Sequence, residues 1–300
     1  MKRPEGNAVN PYEPLDRAVE LLVRGDFNSL WILGKAGLGK SYRTDMKLKE
    51  LNADYVVFRG DISDAYLYEF LYNNNGRIIV FRDVAKLLRR LNCIDTFKAL
   101  TETTGKRIIS RKTYAEHEGV PDEFEFTGKI IFEINDIMKR YREDLKALFS
   151  RGLFVELVFS KEDIKKIMYQ ICQSKEQKRI TDYIVKKADA LGDNFNLRTQ
   201  SMCFKLYEAA KRDNRDWKKE IDLFLSTQIS EPKKLLYQAA GEKPIKRMEF
   251  VRYLMLNKGW SYATAERKIR DWLVIGEIYS NGLKKQSLLS LKPFDSKSTN

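Results

Sequence analysis

The sequence predicts an α/β fold built on a five-stranded parallel sheet, and three observations predict it. Short apolar runs alternate with helical stretches between about residues 15 and 159. The runs carry almost no charge, which suits strands covered by helices on both faces. A glycine-rich loop separates the first run from the helix after it, at the point where an open α/β sheet receives phosphates.

The elements follow in order. A helix over about Leu15–Arg24 precedes the runs LWIL (30–33), YVVF (55–58), RIIVF (77–81), KIIFEI (129–134) and LFVELVF (153–159). Helical patterns between the runs act as crossovers, so the strands run parallel. The character changes at Ser160, which with Asp163 starts a helix in capping-box style, and residues 161–226 read as helices only. A second change falls near Gly241–Pro244. The chain thus divides into an α/β core (1–159), an all-helical segment (160–230) and a small C-terminal unit (241–293), with TQISEPKKLLYQAAGEKP (227–244) as a connector.

Three hundred residues suit two domains, or one large domain with an appendage, and 43% hydrophobic residues can fill a sizeable core. Lys+Arg 55 against Asp+Glu 42 gives a net charge of +13, which favours polyanionic partners such as nucleic acid, although an anionic membrane surface also qualifies. Residues 241–292 hold eleven Lys/Arg against five Asp/Glu, so the excess is concentrated near the C-terminus. The scattered Cys93, Cys172 and Cys203 form neither a disulfide framework nor a metal pattern, which fits a reducing compartment. No run approaches the roughly 18 apolar residues of a membrane span, and MKRPEGNAVNPYEP lacks the apolar centre of a signal peptide. A soluble, cytoplasmic chain without a membrane partner is expected.

The tightest chemical signature is WILGKAGLGKSYRTD (31–45), in which Gly34, Gly39, Lys40 and Ser41 fit G-x-x-x-x-G-K-[ST]. An apolar strand before it and helical composition after it supply the context the motif needs. Gly34, Lys35, Ala36, Gly37, Leu38, Gly39, Lys40, Ser41 and Tyr42 are therefore expected to cradle ATP. Glycines let backbone N–H groups turn towards phosphates, and the helix N-terminus adds partial positive charge. Lys40 is expected to reach the β- and γ-phosphates and the Ser41 hydroxyl to bind Mg²⁺. The strand RIIVF should then deliver a metal-organising acid at its C-terminal end. There the sequence reads VFRDVAKLL, with Arg82 ahead of Asp83. KIIFEIN places Asn135 at the matching end of another strand, LKALFSRG puts Arg151 at the entrance to the fifth, and NFNLRTQS puts Arg198 at a helix start.

The order of these parts resembles the AAA+ ATPases. RIIVFRDVAKLLRR, FKALTETTGKRIIS, FEFTGKIIFEIND, SRGLFVELVFSKEDI and NFNLRTQS resemble more closely those of phages, archaeal viruses and plasmids, distant relatives of replication initiators and helicase loaders. The resemblance covers about residues 15–225. It implies that Asp83 is the second-strand acid serving Mg²⁺ with Ser41, that Asn135 is the sensor-1 residue, that Arg151 is an arginine finger offered to a neighbouring subunit, and that Arg198 is the sensor-2 arginine of a helical lid. It also implies a ring or helical homo-oligomer. Relatives carry two adjacent acids where this chain has Arg82–Asp83. Either Glu133 or an outer group substitutes, or hydrolysis is slow. Each residue also has a purely structural alternative: Asn135 as a strand-end turn, Arg151 and likewise Arg198 as surface cations, Asp83 as a helix N-cap. His117, the single histidine, lies in the acidic loop AEHEGVPDEF and builds no Ser-His-Asp site by itself.

The C-terminal unit reads as helix, tight turn, helix and two short strands. Phe250, Val251, Leu254 and Met255 fall at helical spacing, Gly259 suits the turn, and Ser261 can cap the second helix. Ala265, Ile269, Trp272 and Leu273 give that helix an apolar face and leave Arg267, Lys268 and Arg270 largely outward. Asn281–Gly282 signals a hairpin, with Lys284 and Lys285 next to its tip. The pattern resembles a winged helix, with a recognition helix for the major groove and a basic hairpin for the flanking backbone. Protein docking or a structural role is its alternative.

Taken together, the chain reads as an oligomeric AAA+ ATPase using ATP and Mg²⁺ and binding duplex DNA in the replication of a virus or plasmid, with a helicase or another replication protein as a further partner. An ATP-gated DNA-binding regulator or scaffold, which Arg82 keeps open, and a packaging or transposition ATPase are the rival readings.

Overall fold

The computed structural model describes residues 10–111, 119–135, 145–274, 276–282, 286–291 and 293. The chain divides into two compact units, Met1–Ser160 and Lys161–Asn300.

The first unit starts with α1 (Glu13–Arg24), which buries Leu15, Ala18, Val19 and Leu22 on one face and stops at left-handed Gly25. Then come β1 (Ser29–Gly34), α2 (Lys40–Glu50), β2 (Tyr55–Arg59), α3 (Asp64–Asn73), β3 (Ile78–Arg82) and α4 (Leu91–Leu100). A hairpin of β4 (Ile108–Ser110) and β5 (Glu123–Glu125) leads to β6 (Lys129–Ile134), helical residues 145–149 (α5) and β7 (Leu153–Leu157). Five strands pair in parallel in the order β2-β3-β6-β1-β7. β1 and β3 are buried along their whole length, whereas the edge strand β7 alternates.

The register decides what each face of this sheet carries. Phe58, Phe81, Phe132, Trp31 and Phe154 lie in one row across all five strands. Trp31 stacks on Phe132 with centroids 3.9 Å apart, Phe81 stacks on Phe132 at 5.1 Å, and Phe97 of α4 meets Phe81 and Phe132 edge-on. Such pairs contribute about 0.5–1.5 kcal/mol each beyond their area. One residue further along, the row reads Arg59, Arg82, Glu133, Ile32 and Val155. Successive strand residues face opposite sides, so Arg82 and Glu133 point away from the aromatic row. At the other end of β7, a Cβ on Gly152 would stand 2.0 Å from Ser29 Oγ, so only glycine admits this approach of the two strands.

The second unit opens with α6 (Lys161–Gln170), α7 (Lys175–Val185), α8 (Ala188–Leu191), α9 (Leu197–Arg212) and α10 (Trp217–Gln228). Buried Gln200 of α9 donates to the Met168 carbonyl at 2.8 Å and to Thr181 Oγ1 at 2.7 Å, tying α9 to α6 and α7. The stretch expected to be a connector contains a helix instead, α11 (Glu231–Ala240), which buries Leu235 and Leu236. Its start carries a proline and a glutamate in the first turn, a combination that favours helix initiation.

After α11 come β8 (Ile245–Lys246), α12 (Arg247–Lys258), α13 (Tyr262–Val274), β9 (Tyr279–Ser280) and β10 (Leu288–Ser290), with an antiparallel sheet ordered β8-β10-β9. The expected two strands are joined by a third, β8. Left-handed Gly259 ends α12, and Ser261 Oγ accepts from the Thr264 N–H at 3.2 Å. Phe250, Leu254, Ile269, Trp272 and Leu289 form a buried core that Leu235, Leu236 and Ala190 of α8 join. Arg247 of α12, buried, and Glu266 of α13, half-buried, make an ion pair at 2.6 Å across that core's edge.

Candidate functional site

β1 ends at Gly34, the chain turns through Gly37 (φ 81°) and Gly39 (φ 76°), and α2 begins at Lys40. Positive φ at both glycines is what lets successive N–H groups face one concavity. A Cβ on Gly34 would lie 3.1 Å from the Leu157 carbonyl, so glycine also lets β7 close on the loop. Lys40, buried to 6% exposure, donates from Nζ to the carbonyls of Gly34 (2.6 Å) and Lys35 (2.9 Å) and to Asn135 Oδ1 (2.9 Å). The Ser41 hydroxyl donates to the Glu133 carboxylate.

Arg82 stands behind that carboxylate. Its Nε and Nη2 reach both oxygens of Glu133 at 3.0 and 3.1 Å, while Nη2 and Nη1 reach both oxygens of Asp45 at 2.8 and 3.1 Å. Burial opposes the charge, but the hydrogen bonds and charges of Asp45 and Glu133 outweigh it and raise the guanidinium pKa above its ordinary value. Asp83, the next residue, is exposed and left-handed (φ 55°), and its Oδ1 accepts from Asn135 Nδ2 at 3.4 Å. A continuous chain of contacts thus runs Asp83–Asn135–Lys40 at the mouth, with Ser41–Glu133–Arg82–Asp45 beneath it.

Sequence reasoning missed Tyr12. Its hydroxyl donates to the Leu38 carbonyl in the loop at 2.6 Å, and its ring meets Phe159 edge-on at 5.1 Å. Burial pushes its pKa up to about 12, so the phenol stays protonated and keeps donating. Arg43 lies over the ring at 5.8 Å and is anchored by Asp16 through a 2.6 Å hydrogen bond from Nε. No local pattern announces a contact between residues 26 positions apart.

Other expected residues lie elsewhere. Arg151 precedes β7, at the sheet end opposite the loop, where it donates to the Lys98 carbonyl at 3.2 Å. Arg198 is exposed in the first turn of α9, in the second unit. Tyr42 is exposed. On α13, Arg267 and Arg270 are exposed and Lys268 is half-buried. Lys284, Lys285 and His117 lie outside the described residues.

The donor set fits a nucleoside triphosphate with a hard cation. Among the described residues, no group of three or more His, Cys, Asp or Glu offers a metal a cage of its own. A Mg²⁺ here would be shared by phosphate oxygens, the Ser41 hydroxyl and a carboxylate, the usual composition for nucleotide-bound magnesium.

A parallel sheet whose first strand runs into a phosphate loop, with polar residues at the ends of the adjacent strands, defines a P-loop α/β nucleotide-binding fold, and its strand arrangement matches the AAA+ type. Two solved structures of Thermotoga maritima RuvB, each a point mutant of that protein, share it. One matches with a TM-score of 0.51 at 14% identity, over 95% of this chain and 92% of that one. The other matches with a TM-score of 0.51 at 13% identity, over 94% and 92%. An uncharacterized 36.7 kDa protein of Enterobacteria phage T4, from the nrdC-mobD intergenic region, is 31% identical over 160 residues. That match covers 48% of this chain and 49% of the phage protein, so the aligned part spans about half the length of that relative. No family model matches the chain. Among the described residues, no helix is long and apolar enough to cross a membrane.

Proposed function

We propose that this chain is an AAA+ ATPase that binds ATP with Mg²⁺ in the loop of residues 34–42, assembles with copies of itself, and holds duplex DNA through its C-terminal unit. The observation that carries the reading is the convergence of Lys40, Ser41, Glu133 and Asn135 on one glycine loop. Bound Mg²⁺ supplies charge neutralisation across the phosphate oxygens. Lys40 is held ready to exchange its carbonyl partners for phosphate oxygens. Asn135 fixes Lys40 on one side and Asp83 on the other, which places an exposed carboxylate where a water can be oriented and lose a proton. Arg151 lies six residues before Leu157, the β7 residue paired with Gly34 of the loop, roughly 20 Å by strand rise and too far to serve its own nucleotide. That position suits a finger offered to a neighbouring copy in a ring or helical assembly, and Arg198 serves as the lid's sensor.

For DNA, α13 offers Arg267 and Arg270 with Lys268 beside them, and Lys284 and Lys285 fall in the sequence between β9 and β10, the order expected of a winged helix. The phage relative supports a mobile-element setting; replication is the process proposed there, with a helicase or another replication protein as the partner.

ATP binding and turnover, measured with and without duplex DNA, test this reading. Wild type should bind and hydrolyse ATP, and Lys40→Ala should abolish binding while keeping its circular dichroism, because the substitution removes the cation facing the phosphates. Unchanged affinity in Lys40→Ala would remove the nucleotide site. A second reading, an ATP-gated DNA-binding regulator, is kept open by Arg82 standing where the resembled family usually carries an acid. Undetectable turnover, together with an ATP-dependent change in sedimentation, would select it.

A further inference from the structure

The end of β3, which should deliver an acid to the metal, delivers Arg82. We propose that the metal-side carboxylate of this site is Glu133, supplied by the neighbouring strand β6, and that Arg82 is the residue that positions it. The inference rests on the nucleotide reading above and changes which residue serves the cation.

Three observations carry it. Arg82 and Glu133 occupy the same row of paired strands, so both side chains leave the sheet on the face that α2 covers. On that face Glu133 is the carboxylate that the Ser41 hydroxyl meets, and Ser41 is the loop residue whose oxygen belongs to the cation. Arg82 grips both oxygens of Glu133 and both of Asp45, with side chains of 5% and 3% exposure for the Arg82–Glu133 pair. Planar bidentate contact of this kind fixes orientation as well as charge.

Charge balance agrees with the geometry. Asp45 and Glu133 together carry two negative charges and Arg82 one positive charge. The triad therefore presents one net negative charge beside Ser41, as a single acid on β3 would. Arg82 does not cancel the metal site: it converts buried Glu133 and half-buried Asp45 into one effective acid, turned towards the loop. Asp83 is left at the exposed mouth with Asn135, free for the proton-accepting role.

The test measures ATP affinity by calorimetry with EDTA and again with excess Mg²⁺, and turnover separately. In wild type, Mg²⁺ should tighten ATP. Glu133→Gln should leave the EDTA affinity as in wild type and lose about 10-fold or more of the tightening, the scale seen when residues around a metal are removed. Arg82→Gln should lose part of the same tightening, and Arg82→Lys, which restores the charge, should recover some of it. Asp83→Asn should keep the tightening and lose turnover. If Glu133→Gln does not fold, Glu133→Asp keeps a partner for Arg82 and should still weaken the tightening more than Asp83→Asn does. Full tightening in the Glu133 variants with its loss in Asp83→Asn would overturn the assignment while leaving the nucleotide reading intact. A wild type that binds no ATP in either condition would overturn both.

Discussion

Arg82 is 4% exposed and grips two carboxylates, whereas Arg267 and Arg270 project from α13 into solvent. Both regions are marked by arginines, yet the physics differs. In the first, Arg82 and Glu133 are desolvated and survive only through their partners, so the members of the cluster depend on one another. In the second, each charge keeps its hydration, and the contribution to a polyanion comes from their number. A substitution should therefore act steeply and locally at the loop, and gently and additively on α13.

Arg151 lies between these extremes and gives the largest expected effect. Its side chain is 32% exposed and bonded to the Lys98 carbonyl. As a finger in trans, it should bring Arg151→Ala to normal ATP binding with turnover reduced by roughly 10³ or more. Mixing that variant with Lys40→Ala should recover some activity, because one interface then pairs an intact finger with an intact loop. A mixture with no recovery would place Arg151 among structural cations and leave the loop site complete within one chain.

Next in size is Arg82→Asp. On the acid pattern of the resembled family alone, this change would restore two adjacent acids. In the structure it sets a third carboxylate against Asp45 and Glu133 and removes their common counter-ion. Leaving buried charges uncompensated costs about 3–5 kcal/mol, which chemical denaturation would read directly. A variant as stable as wild type, with faster turnover, would show that the buried cluster tolerates exchange as freely as an exposed face.

The contrast between Arg82 and its partners also marks what the sequence revealed. The charge-free runs and the glycine loop were legible because their signals are local: a central strand must be apolar on both faces, and a phosphate loop must have glycine where φ is positive. Gly259 and Ser261 were legible for the same reason. The partners of Arg82 lie 37 and 51 residues away, and Tyr12 reaches Leu38 across 26, so only the folded register brings them together. The β4–β5 hairpin was hidden because its strands are three residues each and mostly exposed. In α11 the local signal was present, with Ser230 and a first-turn proline ahead of Leu235 and Leu236. The expectation of a connector over 227–244 gives that signal no weight.

Truncation after Ser230 sharpens the other half of the comparison. It removes α11 along with the C-terminal elements, which share one core, and leaves the loop site untouched. ATP affinity should stay as in wild type while duplex affinity falls towards the level given by the remaining charge, since residues 241–292 carry eleven Lys/Arg against five Asp/Glu. Filter binding at one fixed salt concentration compares the two proteins. Equal duplex affinity would assign the C-terminal unit to protein docking and leave the DNA to the first unit's own loops.

The smallest effect belongs to single cations of α13 and its hairpin. Ala263, Arg267, Arg270 and Val274 are all exposed, and their spacing of four, three and four residues makes one stripe along the helix. If Arg267 or Arg270 meets a phosphate, replacing it with alanine should lower the slope of log affinity against log salt by about one, with the preference among DNA sequences unchanged. The same holds for Lys268, Lys284 and Lys285. A change that altered sequence preference would instead mark a residue reading base edges, because phosphates carry no sequence information. The double variant separates the two regions most cleanly. Arg267→Ala with Arg270→Ala should lower the slope by about two if the contacts are independent, since solvated charges add. At the loop, Arg82→Gln combined with Glu133→Gln should cost less stability than the sum of the two single changes, because removing both charges of a buried pair strands neither.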